Sequence, residues 1–153
     1  MQAVRRIGTL EQRQAALHAG DIGETLQKHE IAFYEQFQDA GERFELIPRP
    51  PRAANGKRPS SNDFRATTLG EVEIKSFQRP NRATVSKEVA RSIIAARDNH
   101  GDEKDRFIVY SRKYPPTPQF INQMRDYNAK HPNAQVRQLF WWDGANLIEI
   151  PQR

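Results

Sequence analysis

Hydrophobic and polar residues alternate most clearly between positions 71 and 77. Val72 and Ile74 share one face of an extended chain, while Glu71, Glu73 and Lys75 share the other. This alternation predicts a β-strand whose apolar face packs in a core. The opposite face carries a carboxylate two residues before a lysine, so it can hold a metal ligand and a cation side by side.

Similar patterns along the chain predict elements in the order α, α, β, β, β, α, β, α, β, β. Residues 107–110 form a continuous apolar run, which is typical of a strand covered on both faces. Hairpins are predicted for 63–67 with 71–77 and across Asp143-Gly144. The remaining predictions are helices over about 9–19, 21–39, 85–97 and from 118 onwards, and strands over 44–47, 136–142 and 147–150. The order predicts an α/β fold with a mixed central sheet flanked by helices.

The second predicted helix has an acidic residue within its apolar face. Leu26, Phe33, Phe37 and Ala40 fall on one face at helical spacing, and Glu30 lies in the middle of this stripe. A buried carboxylate is costly unless a cation, a metal ion or a hydrogen-bond donor satisfies it. Three roles are therefore open for Glu30: a side chain directed towards solvent, a partner in a structural ion pair, or a functional carboxylate.

The composition describes a chain large enough for one hydrophobic core. It has 153 residues, of which 37% are hydrophobic, and it has no cysteine, which excludes disulfides and thiolate metal ligands. We expect a single domain over 21–153, preceded by a helical arm over 1–20. No apolar run approaches the ~20 residues of a membrane-spanning helix, and the first residues lack the apolar segment of a signal peptide.

Basic residues are concentrated around the alternating strand. The chain carries a net charge of +5, and the segment from Arg49 to Arg91 holds ten basic and four acidic residues. This segment therefore carries +6 and the remainder of the chain −1. A cationic surface attracts polyphosphates such as nucleic acids, although a solvated basic face without a ligand would have the same composition.

A second carboxylate, Asp63, lies ten residues before Glu73. The predicted hairpin brings Asp63 towards the edge of the face that carries Glu73, and its neighbours Ser60, Ser61 and Asn62 are small and polar. An aspartate at the start of a strand is also a common turn residue. Together with Glu73, however, Asp63 would form an oxygen-ligand set able to bind a divalent ion.

The chain thus presents a helix glutamate, a basic glycine-containing loop, an aspartate and a Glu-x-Lys strand in this order. In this it resembles the PD-(D/E)xK, or restriction-endonuclease-like, nuclease superfamily. More closely, it resembles the nuclease toxin domains at the C-termini of bacterial contact-dependent inhibition and polymorphic toxins. The resemblance covers about residues 22–112, and Asn62 stands where the motif has proline. The segments that carry it are Glu30-Ile31-Ala32-Phe33, Ala40-Gly41-Glu42-Arg43-Phe44, Asn62-Asp63-Phe64 and Glu73-Ile74-Lys75.

The resemblance implies a three-layer restriction-endonuclease-like core and a metal-dependent endonuclease acting on DNA or tRNA. Asp63 and Glu73 would bind Mg²⁺ or Mn²⁺, or another divalent ion such as Zn²⁺, with Glu30 as a further ligand. Lys75 would orient the attacking water or stabilise the charge that builds on the phosphate. Glu71 shares the face of Glu73 and could replace it as a ligand, but only Glu73 has a lysine two residues later.

Basic residues near the motif are candidates for nucleic-acid binding. Lys57 and Arg58 lie in the loop before Asp63, and Lys87 and Arg91 lie one turn apart on the following predicted helix. Each of them could equally be a solvated surface residue.

The resemblance also implies a biological setting. The domain would be the toxic module of a larger secreted protein, act in the bacterial cytoplasm and bind a cognate immunity protein. Two alternatives stay open: a non-catalytic nucleic-acid-binding module of the same fold, and a phage or housekeeping repair nuclease.

Overall fold

The structure is a computed structural model that describes residues 9–17, 26–52, 54–56, 59, 61–99 and 101–153. Its strands form one mixed sheet in which neighbouring strands follow the order of the chain. The strands are β1 (Phe44–Leu46), β2 (Phe64–Ala66), β3 (Gly70–Phe77), β4 (Arg106–Ser111), β5 (Gln138–Trp142) and β6 (Leu147–Glu149). The helices are α1 (Leu10–Ala16), α2 (Lys28–Asp39), α3 (Arg82–Asp98), α4 (Pro118–Met124) and α5 (Tyr127–Lys130).

Strand direction divides the sheet into two parts. β1, β2 and β3 form an antiparallel meander, whereas β3, β4 and β5 run parallel and β6 returns antiparallel to β5. Parallel neighbours need a crossover connection, which α3 provides between β3 and β4 and α4 with α5 provide between β4 and β5. The predicted α/β fold with a mixed sheet flanked by helices is confirmed.

Helices cover both faces of the sheet. On one face, Phe33 of α2 stacks on Tyr110 of β4, with ring centroids 5.2 Å apart. On the other face, Phe120 of α4 meets Trp141 of β5 edge to face. The run Phe107–Tyr110 of β4 is buried on both sides, as predicted. The sheet therefore carries one hydrophobic core on each face.

The start of α2 differs from the helix predicted over 21–39. The helix begins at Lys28, after Gln27, whose backbone is extended with φ −75° and ψ 161°. The Glu30 carboxylate accepts the Gln27 backbone amide at 2.8 Å, and together the two residues form a capping box. Residues 21–25 of the predicted helix lie outside the described residues.

Other boundaries also differ from the prediction: β5, for example, begins at Gln138 and not at residue 136. α3 begins before residue 85, because the Asn81 side chain caps it by accepting the Thr84 amide. The helix predicted from 118 ends at Met124, so that Tyr127 belongs to the separate α5. Ala40, predicted on the buried face of α2, is the exposed residue that ends this helix.

α1 belongs to the arm predicted over 1–20 and lies against α2. Leu17 is buried in the core on the α2 side, and Arg13 forms an ion pair with Glu35 of α2. The predicted boundary between arm and domain falls among residues outside the described ones. Within the described part of the chain, every helix is too short or too polar to cross a membrane.

Candidate active site

The ladder between β2 and β3 ends before β3 itself ends. Phe64 pairs with Val72, while β3 continues alongside β4 to Phe77. Asp63 continues the register, so its backbone amide donates to the Val72 carbonyl at 3.0 Å. Its carboxylate then takes the place of the next backbone acceptor, because Oδ2 accepts the Ile74 amide at 2.8 Å. The Asp63 side chain is therefore fixed where the sheet opens.

Glu73 lies beside Asp63 and is buried, with only 5% of its surface exposed. A hydrogen bond joins its carboxyl group to Asp63. Burial and the charge of Asp63 raise the pKa of Glu73 from 4.5 to about 8, against the opposing effect of Lys104 and Lys75. Two carboxyl groups are thus held in contact, and one of them keeps its proton at neutral pH.

Two ammonium groups contact the same oxygen of Glu73. Lys75 Nζ lies 3.9 Å from Glu73 Oε2, and Lys104 Nζ forms an ion pair with that oxygen. Lys104 is buried in the segment before β4, and the pairing of Glu73 with Phe107 brings this segment to β3. Lys104 was not predicted from the sequence, because a lysine in the charged stretch 102–106 is typical of an exposed loop.

Arg49 is a second residue that the sequence analysis did not single out. Its guanidinium donates to Oδ1 of Asp63 and to Oγ of Ser61, each at 3.3 Å. Arg49 lies in the proline-rich loop after β1. The basic composition of this loop was the feature of the sequence that pointed to a cation here. It adds a cation on the side of Asp63 that faces this loop.

Glu71 is engaged elsewhere. Its carboxylate accepts hydrogen bonds from Asn62 at 3.1 Å and from Arg65 at 3.2 Å, and 38% of its side chain is exposed. The structure therefore brings Glu73, and not Glu71, into contact with Asp63. The choice of Glu73 as the metal ligand stays a prediction.

Glu30 belongs to the α2 side of the sheet, whereas Glu73 pairs with Phe107 of the opposite core. Burial raises the pKa of Tyr110, and the half-buried carboxylate of Glu30 and that of Asp63 add to this rise, so both acids are within electrostatic range of that tyrosine. Among the described residues, no three histidine, aspartate or glutamate side chains are grouped to hold a metal ion. Glu30 is thus not gathered with Asp63 and Glu73, and its role as a ligand stays a prediction.

The predicted nucleic-acid contacts are dispersed. Lys87 and Arg91 are exposed on α3, where Arg91 forms an ion pair with Glu88 at 3.3 Å. Such a surface pair contributes little to stability, so Arg91 can exchange its partner for a phosphate. Lys57 and Arg58 lie outside the described residues.

The oxygen donors at this position fit a hard divalent ion. Asp63 and Glu73 supply carboxylate oxygens, and Oδ1 of the neighbouring Asn62 is buried with no hydrogen-bond partner among the described residues. Mg²⁺ is usually held by one or two carboxylates and keeps several waters, so two acids are sufficient ligands. A divalent ion would also offset the repulsion between the two carboxylates.

Comparison of the chain with models of known protein families, with curated proteins and with solved structures finds no match. The chemistry of Asp63, Glu73 and their cations is therefore the basis for a functional assignment.

Proposed function

We propose that the protein is a divalent-metal-dependent endonuclease that hydrolyses phosphodiester bonds of DNA or tRNA. The observation that carries this proposal is the contact between the carboxyl groups of Asp63 and Glu73. A structural ion pair needs only one carboxylate for its cation. Here Asp63 is a second acid beside the buried Glu73, although the charge of Asp63 raises the pKa of Glu73 and so makes its ionisation less favourable. Strongly perturbed acids of this kind are concentrated at functional sites.

Asp63 and Glu73 would hold the ion, with Glu30 as a further ligand, directly or through water. A bound divalent ion polarises a phosphate and lowers the pKa of a water molecule. Lys75, with its ammonium 3.9 Å from Glu73, orients the attacking water or stabilises charge on the phosphate. Arg49 fixes Asp63 through the guanidinium contact and limits its rotation.

The order of elements supports the same proposal. A helix that carries Glu30 precedes a turn at Gly41 into β1, and a proline-rich loop leads from β1 to Asp63 and the Glu73 strand. This is the order that the resemblance to restriction-endonuclease-like toxin domains implies. A three-layer core of that family is therefore part of the proposal.

The proposal extends to a toxic effector of a bacterial competition system, acting in the cytoplasm of a target cell. Its partners would be DNA or tRNA and a cognate immunity protein. Expression of the chain in a bacterium tests this extension. A toxin should arrest growth unless its immunity protein is present, whereas a repair nuclease should not.

A non-catalytic nucleic-acid-binding module is the second candidate, and Lys104 favours it. The Lys104 ammonium already contacts Glu73 Oε2 and competes with a divalent ion for this oxygen. If no divalent ion displaces Lys104, Asp63 and Glu73 have only a structural role.

Cleavage of plasmid DNA and of total tRNA, with Mg²⁺ and with EDTA, distinguishes the two candidates. The wild type should cleave one of these substrates with Mg²⁺ only, and Glu73→Ala and Lys75→Ala should abolish cleavage. Glu71→Ala is the matched control, since it removes a carboxylate from the same face of β3 but leaves the buried pair intact. Activity in EDTA, or full activity of Glu73→Ala, would rule out the metal-dependent mechanism.

A further inference from the structure

A second concave site lies at the carboxyl ends of β4 and β5. It is a cavity of about 340 Å³, and its walls include Ser111, the last residue of β4, and Trp142, the last residue of β5. Ligands of open α/β sheets bind outside the carboxyl ends of parallel strands. The volume falls within the ~300–1,000 Å³ that is usual for ligand sites. We call this cavity the carboxyl-edge groove.

The carboxyl-edge groove is cationic. Arg112 and Lys113 follow β4 directly and line it, and neither forms an ion pair with a carboxylate among the described residues. The groove also contains Asp143, but its carboxylate accepts the amides of Ala145 and Asn146 at 2.8 and 2.6 Å within its own turn. The two basic side chains are therefore available to an anionic ligand.

An exposed aromatic ring, Tyr114, contacts Lys113 and a further cation, Arg79. Tyr114 is 38% exposed and lines the groove. The Arg79 guanidinium lies 4.6 Å from the ring centroid and the Lys113 ammonium 5.5 Å. The Ser111 hydroxyl accepts the Tyr114 backbone amide at 3.0 Å, which fixes the turn that carries the ring. Cations that flank an exposed ring are the chemistry by which proteins hold single-stranded nucleic acid, since phosphates and a base can bind together.

The floor of the groove is connected to the candidate active site. Tyr110 bonds to His29 Nδ1 at 2.9 Å and pairs across the sheet with Ser76, which directly follows Lys75. Burial and the charge of Arg112 lower the pKa of His29, so this histidine is neutral at pH 7 and does not add to the cationic charge. The groove therefore lies towards the carboxyl end of β3, on the face of the sheet opposite Glu73 and Lys75.

From this geometry we infer that the carboxyl-edge groove binds an unpaired nucleotide of the substrate, on the face of the sheet opposite the scissile phosphate. Arg112 and Lys113 bind its phosphates, and the base stacks on Tyr114. The cavity admits a single base but not a duplex, so the substrate class is single-stranded DNA or RNA, or an unpaired loop in a folded RNA. This inference rests on the proposed function, because it is the nuclease proposal that makes a nucleic acid the expected anion.

Binding in EDTA tests the inference without cleavage. Fluorescence anisotropy is measured with labelled single strands of DNA and RNA of one sequence, and with their duplexes, at several salt concentrations. The double variant Arg112→Glu/Lys113→Glu should bind the single strands at least about tenfold more weakly than the wild type. Loss of two phosphate contacts should reduce the slope of log affinity against log salt by about 1.4, because each contact to a single strand contributes ~0.7.

Two variants control for charge and for folding. Lys130→Glu/Arg137→Glu makes the same change in charge at exposed residues outside the groove, and it should change the affinity by less than about threefold. Tyr114→Ala leaves the charge unchanged and should weaken single-strand binding at least about fivefold, the lower end of base–aromatic stacking. Circular dichroism confirms that each variant is folded.

Tighter binding of either the DNA or the RNA strand supports the inference and shows whether the groove prefers a deoxyribose or a ribose nucleotide. Three results would overturn it: single-strand affinity unchanged in both groove variants, an equal loss in the control variant, or preferred binding of the duplexes. A protein that binds as expected but cleaves no substrate with Mg²⁺ would retain the groove and refute the nuclease proposal. Cleavage that is independent of Arg112, Lys113 and Tyr114 would retain the nuclease proposal and refute the role of the groove.

Discussion

Replacement of Glu73 by glutamine should change how the stability of the metal-free protein depends on pH. In the folded protein Glu73 keeps its proton up to about pH 8, whereas an exposed glutamate loses it near 4.5. Between these values the folded state binds more protons than the unfolded state, so the free energy of unfolding falls as pH rises. The contribution is fully present below about pH 4.5 and is lost as pH rises through about 8.

The size of this effect follows from the same pKa. One proton corresponds to about 1.4 kcal/mol per pH unit, so wild-type stability should fall by up to about 4 kcal/mol between about pH 5 and pH 8. Glutamine resembles the protonated carboxyl group in shape and has no proton to lose. The Glu73→Gln protein should therefore lack this fall and gain up to about 4 kcal/mol on the wild type over that interval.

Urea denaturation in EDTA, followed by circular dichroism at several pH values, measures the free energy of unfolding. Glu71→Gln is the control, because it removes an acid from the same strand and face but not from the buried contact. Its slope against pH should match that of the wild type. A wild-type stability that is constant or rises over the interval would refute the reasoning, as would an unchanged slope in Glu73→Gln.

Three further predictions concern Lys104, Glu30 and Asp63. Above about pH 8, where Glu73 is ionised, Lys104→Met should destabilise the metal-free protein by about 3–5 kcal/mol by urea denaturation, since it removes one partner of a buried ion pair; a double-mutant cycle with Glu73→Gln should recover part of this loss, and strict additivity would contradict the pairing. Glu30→Gln should keep the thermal midpoint, because glutamine also forms a capping box, yet lower the Mg²⁺-dependent cleavage rate; an unchanged rate would leave Glu30 with a capping role alone. Asp63→Asn should reduce the initial cleavage rate at least about 100-fold and also weaken Mg²⁺ binding by calorimetry, whereas unaltered calorimetry would exclude Asp63 as a ligand.

Alternation and turn chemistry were sufficient to predict the strands around the candidate site. The hairpin of β2 and β3 turns through Gly70, which has a φ of +78° that favours glycine, and its register brings Asp63 to Glu73. The double burial of β4 also followed from its unbroken apolar run. These features depend on residues close together in the sequence, so the sequence alone could predict them.

The positions of Lys104 and Arg49 depend on tertiary structure, so they could not be predicted from local sequence patterns. Lys104 reaches Glu73 only because a parallel strand pair aligns the segment before β4 with the middle of β3. Arg49 reaches Asp63 through the path of a proline-rich loop. Helical spacing placed Glu30 in an apolar stripe, but its position in the first turn of α2 gave it a local partner in Gln27. Periodicity describes the faces of a helix and does not locate its first turn.

The order of the strands has a consequence for how the chain folds. Each strand of the described sheet pairs with the strand that precedes it, across a turn, a loop or a helical crossover. The sheet can therefore grow from β1 to β6 by additions at one edge, although its parallel pairs join distant residues, Glu73 with Phe107 and Phe107 with Leu139. Such non-local parallel pairing is slower to form than a local hairpin. A chain of this topology can assemble its sheet in the same order in which it leaves a ribosome or a translocation pore.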